Sequence, residues 1–194
     1  MARGLKRRNT ALAAVATLAS VATLYFGWRA WRRSRHCGNR NVPEPAKPVD
    51  ISRYIGKWYE LARYENRFER GCRDVIAEYA VRSDGLIDVI NACETAGGEQ
   101  KVSRGRAKVV PDSGAAKLKV SFFGPIYAGD YWVLDHDDDY QWAIVGEPSG
   151  WYLWILHREA TPEPSLVSGL RRRAAAMGYD LRKLHRTRHR RQAH

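Results

Sequence analysis

Short runs rich in Val, Ile, Tyr, Trp and Phe, each closed by turn residues, follow one another from Asp50 to about Arg158. The runs fall at residues 54–64, 74–82, 86–93, 101–110, 116–123, 129–135, 140–146 and 151–158. A loop at 65–73 separates the first two. Turns at Ser83-Asp-Gly85, Gly97-Gly98, Pro111-Asp-Ser-Gly114, Gly124-Pro-Ile126, 136–139 and Pro148-Ser-Gly150 separate the others. Eight strands joined in sequence by short loops close most simply as an up-and-down antiparallel barrel, which removes sheet edges and encloses room for a small ligand. The predicted class is therefore all-β, with two α-helical additions at its ends.

The first run, Tyr54-Ile-Gly-Lys-Trp-Tyr-Glu-Leu-Ala-Arg-Tyr64, does not alternate cleanly and puts a glutamate on the face of its tryptophan. Such a strand suits a wall with water or ligand on one side better than a dry sandwich. If Trp58 points inward, so do Glu60, Ala62 and Tyr64. Val75, Ala77, Tyr79, Val89, Asn91, Phe122, Tyr131, Trp142, Tyr152 and Trp154 complete the candidate lining. A bulge shifts parity within a strand, so the set carries more weight than any member. The competing reading is that these side chains fill an ordinary core. Glu60 separates the two, because a carboxylate inside an apolar barrel needs a cationic partner, a polar head group or a proton.

Charge divides the chain. The 194 residues carry a formal +12, but residues 41–164 hold 15 Lys/Arg against 20 Asp/Glu, a formal −5. An acidic middle repels nucleic-acid phosphate, and basic ends suit a membrane surface. Residues 10–28 (TALAAVATLASVATLYFGW) contain no charged residue, follow Arg3, Lys6, Arg7 and Arg8, and precede Arg29, Arg32, Arg33 and Arg35. As a helix they would span about 28 Å, close to the hydrocarbon thickness of a bilayer. Residues 1–36 are thus predicted to be a transmembrane anchor. The alternative is a secretory signal with Ser20-Val-Ala22 as its cleavage site. Residues 37–49, with prolines at 43, 45 and 48, form an extended linker. Residues 50–184 form the barrel domain, including a helix after Thr161-Pro-Glu-Pro164 whose apolar stripe is Leu166, Leu170, Ala174 and Met177. Tyr179–Leu184 reads as a short added strand, and residues 185–194 are a basic tail expected to be disordered.

Three pieces in this order resemble the bacterial lipocalins, the group that includes apolipoprotein D-like proteins. They are Gly56-Lys-Trp58 with Tyr59-Glu-Leu-Ala-Arg63 and Asn66-Arg-Phe-Glu-Arg70, then Lys119-Val-Ser-Phe-Phe-Gly-Pro125 with Gly129-Asp-Tyr131, then Tyr152-Leu-Trp-Ile-Leu-His-Arg158. The resemblance implies a calyx open at one end, with Trp58 plugging the closed end, Arg158 lying across it and Gly56 opening the motif. It implies a fatty acid, lysophospholipid or similar apolar ligand, and a place in the bacterial cell envelope. There the domain would be periplasmic on an inner-membrane anchor, or secreted to the periplasm after cleavage. Many bacterial members carry a lipidated cysteine. Here Ser34-Arg35-His36 precedes Cys37, where lipidation requires small and apolar residues.

Cys72 and Cys93 stand on either side of the 83–85 turn, and counting outward brings them roughly opposite each other. An oxidising compartment would let them form a disulfide. Asp135-His-Asp-Asp-Asp139 reads as a solvated hairpin turn, not a metal loop. No metal or cofactor is called for. The hydrolase, metalloprotease and phosphate-loop signatures are missing from the sequence. An enzyme on this scaffold would need an acid–base pair such as Glu60 with Tyr79 or Tyr131, acting on a lipid or isoprenoid within the cup.

Overall fold

The computed structural model describes residues 38–190. The predicted anchor, the cleavage site and Cys37 lie outside the described residues, and within them no helix is long and apolar enough to cross a membrane. One turn of helix, α1 (Ile51–Tyr54), is capped by the Asp50 carboxylate, which accepts from the Ser52 amide. Eight strands follow: β1 (Gly56–Tyr64), β2 (Arg73–Val81), β3 (Ile87–Glu94), β4 (Gln100–Val109), β5 (Lys117–Ser121), β6 (Gly129–His136), β7 (Trp142–Gly146) and β8 (Leu153–His157). Each pairs antiparallel with the next, and β1 pairs with both β8 and β2, so the sheet closes into a barrel. Gly56, at φ +90, makes the corner from α1 into β1, a backbone shape that a side chain would strain.

Helix α2 (Pro164–Ala176) starts on Pro164 and runs along the outside of the wall. Its stripe, led by buried Leu170 and Ala174, packs on Leu61, Ala62, Tyr64, Leu134, Ile144, Leu153 and Ile155. Each large apolar side chain buried there contributes about 1.5–3 kcal/mol. The wall is thus a two-faced sheet: one face turns to the barrel axis and the other lies under a helix.

The C-terminal segment forms an added strand, as expected, but later than Tyr179–Leu184, and the tail beyond it departs from expectation. After a single 3-10 turn (Leu181–Lys183), the chain forms a ninth strand, β9 (Leu184–Arg186). One edge of β1 pairs with β8. The other pairs with β2 only from Gly56 to Tyr59, and with β9 from Ala62 to Tyr64. Residues 187–190 continue the seam. The Thr187 amide donates to Leu61 O, the Asp74 amide to Arg188 O, and Arg190 pairs with Asp74 and Glu94. Composition marked residues 185–194 as a solvated tail. Through Arg190 they are instead part of the wall, because Asp74 and Glu94 are brought to meet their charges.

Cys72 and Cys93 are joined, with Cα atoms 5.6 Å apart, at the end of the barrel where β1 meets β2 by a loop. The bridge closes a loop of 21 residues, worth about 3 kcal/mol in chain entropy. The Cys72→Ser, Cys93→Ser double variant is expected to lose that amount in urea unfolding, and dithiothreitol should destabilise the parent equally while leaving the variant unchanged.

Candidate functional site

The barrel has a sealed end and an open one. At the sealed end Trp58 is fully buried, and its indole N–H donates to Tyr54 O at 2.8 Å. The Arg158 guanidinium lies over the indole, 3.7 Å from the ring centroid. It makes five hydrogen bonds to backbone carbonyls: Nε to Tyr140 O, Nη1 to Lys57 O, and Nη2 to Arg53, Tyr54 and Ile55 O. One side chain so ties α1, β1 and the β6–β7 turn together over the plug. That turn, Asp135–Asp139, is held by its own backbone and by Lys47 on Asp138.

Above the plug, alternation places Ala77, Tyr79, Ile87, Val89, Ala107, Leu118, Val120, Tyr131, Val133, Ala143, Val145, Trp154 and Leu156 in one apolar cluster around the axis. Three phenols cross it. Tyr131 Oη lies 2.8 Å from Tyr54 Oη and 3.0 Å from Tyr79 Oη. Burial pushes Tyr54 and Tyr131 well above the usual phenol value and Tyr79 up to about 12, so all three stay protonated at neutral pH. Ala77, Val120, Tyr131 and Trp154 face the axis and are only partly buried, as is Asn91 on the same face of β3 as Val89. The inner face is therefore less completely buried than the rest of its cluster.

Toward the open end the inner face turns polar. The β1–β8 register slips between Glu60 and Ala62, so Glu60 stands opposite Leu156 and Arg63 opposite Trp154. Leu156 and Trp154 belong to the inner cluster. A regular strand puts residues three apart on opposite faces. The bulge puts Glu60 and Arg63 on the same one, with Nη1 to Oε1 at 2.7 Å and both side chains buried. Thr187 also bonds Glu60, and His189 Nε2 lies 2.7 Å from Glu60 O. Burial, reinforced by the charge of Glu69, pushes Glu60 up to about 7 against the pull of Arg63 and Thr187. Arg63 Nε is buried with no hydrogen-bond partner among the described residues.

The Asn66-Arg-Phe-Glu-Arg70 stretch folds over this neck. Asn66 Oδ1 accepts from the Phe68 and Glu69 amides, Arg63 donates to Glu69 O, and Trp154 Nε1 donates to the Glu69 carboxylate at 3.1 Å. Sequence reasoning missed Arg63, Glu69 and Thr187 as members of the site. The signal was a cation, Arg63, set between apolar Ala62 and Tyr64 at the position where alternation demanded an outward residue.

The candidate lining therefore divides. Glu60, Ala77, Tyr79, Val89, Tyr131 and Trp154 face inward, with Asn91 on the face of Val89. Tyr152 stacks on Trp154 at 5.5 Å near the mouth. Phe122 lies against Gly105 at the rim, where a Cβ would come within 2.8 Å of its ring. Val75 is buried in a separate small cluster with Cys72 and Cys93. Three candidates are corrected. Ala62 and Tyr64 lie past the bulge and pack under α2, and Trp142 also belongs to that outer cluster, with Arg173 of α2 over its ring at 5.1 Å. The acid–base pair considered for an enzyme is not assembled by hydrogen bonding: Tyr79 and Tyr131 bond each other, and Glu60 bonds Arg63 and Thr187.

Comparison with known proteins gives a consistent picture. A profile described as the lipocalin-like domain matches residues 49–189. The outer membrane lipoprotein Blc of Vibrio cholerae is 41% identical over 152 residues, 76% of this chain and 88% of that protein. Temperature-induced lipocalin-1 of Arabidopsis thaliana is 40% identical over 151 residues, covering 74% and 81%. Apolipoprotein D of Mus musculus is 29% identical over 181 residues, covering 90% and 93%. Among solved structures, insecticyanin from the tobacco hornworm Manduca sexta superposes with a TM-score of 0.64 at 22% identity, over 80% of this chain and 88% of that one, a likeness of fold.

Proposed function

Since the chain belongs to the lipocalin-like domain family, we propose that it binds a small hydrophobic molecule in the barrel, a lipid of the fatty acid or lysophospholipid class, and carries or stores it at the bacterial cell envelope. The observation that carries this reading is the inner face itself: apolar side chains that point to the axis and are only partly buried. Filling that space with an acyl chain removes apolar surface from water at about 25 cal/mol per Å². The buried Arg63 Nε offers a donor to a head group at the neck, and Glu60 can meet that group either as acid or as carboxylate. The family's members are binding and transport proteins. The three phenols are held protonated and bonded to partners other than Glu60, which favours a carrier over an enzyme.

The uncharged run at 10–28 supports a tether to the inner membrane with the barrel in the periplasm. Relatives named as outer membrane lipoproteins support the envelope, and the Cys72–Cys93 bridge suits an oxidising compartment.

Displacement of a fluorescent fatty acid tests the binding. The parent is expected to bind at micromolar concentration or tighter. Ala77→Phe, which fills the inner face, should weaken binding at least tenfold, about the 1.4 kcal/mol that one lost contact region represents. Trp142→Ala, on the outer face, should leave affinity unchanged. Equal effects from the two variants, or no uptake of any amphiphile by the parent, overturn the reading.

A further inference from the structure

We propose that the open end of the barrel docks mouth-down on the bilayer surface, its rim loops dipping into the head-group region, so that ligand passes between membrane and cup without crossing water. The proposal rests on the membrane tether proposed above and adds to it an orientation.

Two independent observations carry it. The first is the placement of exposed apolar side chains. Phe123 is 81% exposed, Ile126 68%, Phe68 51%, Phe122 39% and Trp151 36%. All five stand on the loops that join β1 to β2, β5 to β6 and β7 to β8, three of the four loops of the open end, and Val102, 50% exposed, lies on β4 beside the fourth. The closed end presents only Val81 and Val109 among the large exposed apolar residues described. Aromatic and aliphatic tips beside cations suit an interface. Arg67 lies over the Phe68 ring at 4.7 Å, and Lys101 donates to Phe68 O and holds that loop to β4.

The second observation is where the chain enters the domain. The amides of Gly38 and Asn39 both donate to Gly150 O, in the β7–β8 loop beside Trp151. Asp180 N donates to Gly38 O, and a Cβ on residue 38 would lie 1.9 Å from the Tyr64 ring. Asn39 is buried and donates to Met177 O. The attachment point is therefore fixed at the rim. Only residues 29–37 separate it from the uncharged run, a reach of about 30 Å when fully extended. The nine residues of β1 are about as long, so seating the closed end on the membrane would stretch the whole linker along the wall. A tether of that length at the mouth favours the mouth as the contact face.

The test uses the full chain in vesicles of phosphatidylethanolamine with a minority of phosphatidylglycerol. An environment-sensitive fluorophore is placed singly at Phe68→Cys, Phe123→Cys, Ile126→Cys or Val81→Cys on a Cys37→Ser background. Brominated lipid should quench the labels at 68, 123 and 126 by about half, as expected 5–10 Å into the interface, and leave the label at 81 untouched. Adding Phe123→Asp and Ile126→Asp should free the label at 68 while the protein still floats with the vesicles. Rim labels as wet as the one at 81, on protein that floats, overturn the orientation and leave the tether standing. Protein that does not float at all overturns both.

Discussion

Replacing Trp58 with alanine is expected to cost the domain about 3–5 kcal/mol of unfolding free energy. For a domain of this size that lowers Tm by about 6–20 °C. The indole is fully buried, fills the closed end, satisfies Tyr54 O and supports the Arg158 guanidinium on its face. Alanine removes all of these and leaves a void beneath the phenols. Arg158→Lys isolates the second half of the seal. It keeps the cation but loses the flat fork that serves five carbonyl oxygens, and about 2–3 kcal/mol should go with it. Scanning calorimetry at neutral pH measures both. A Trp58→Ala protein that melts within a degree or two of the parent would show that the floor contributes little.

The second large effect sits at the neck. Arg63→Met strips a buried carboxylate of its cation, and at pH 8 the expected cost is about 3–5 kcal/mol. At pH 5 the loss should be much smaller, since Glu60 can then take a proton. The parent has a pH dependence of its own. Glu60 is pushed up from 4.5 to about 7 on folding, so the folded state holds its proton more tightly than the unfolded state. Its contribution to stability is fully present below about pH 4.5 and fades as pH rises through 7. The two values differ by an amount equivalent to about 3 kcal/mol. Glu60→Gln should flatten the stability curve across that window. Urea midpoints from pH 4 to 8 give the answer, and a parent curve that rises through the window would contradict the burial argument.

The parts of the fold that depend on local chemistry were legible in the sequence. The strand runs and their turns, the helix stripe at Leu166, Leu170 and Ala174, the Trp58–Arg158 seal and the Cys72–Cys93 pairing all follow from spacing or from the family motifs. What was not legible depends on register. Ala62 and Tyr64 were placed inside by counting twos from Trp58, and one extra residue between Glu60 and Ala62 reverses every face beyond it. Trp142 fell on the wrong face because its parity cannot be read without its pairing partner on β8. The tail from residue 185 is basic enough to resemble solvated chain, yet Asp74, Glu94 and Glu60 wait for it on the folded wall. No local pattern records that meeting, because its members lie far apart in the sequence.

That separation has a consequence for how the molecule is made. Arg63 and Thr187 meet across 124 residues, and the upper edge of β1 is covered only when β9 arrives. While the nascent polypeptide is still emerging from the ribosome, its first strand has a bare flank that nothing yet synthesised can cover. Completion of the wall must wait until β9 has been made, which makes this a slow, topologically late step. Until then the growing protein needs a chaperone, or haste, to keep that flank from pairing with a neighbour.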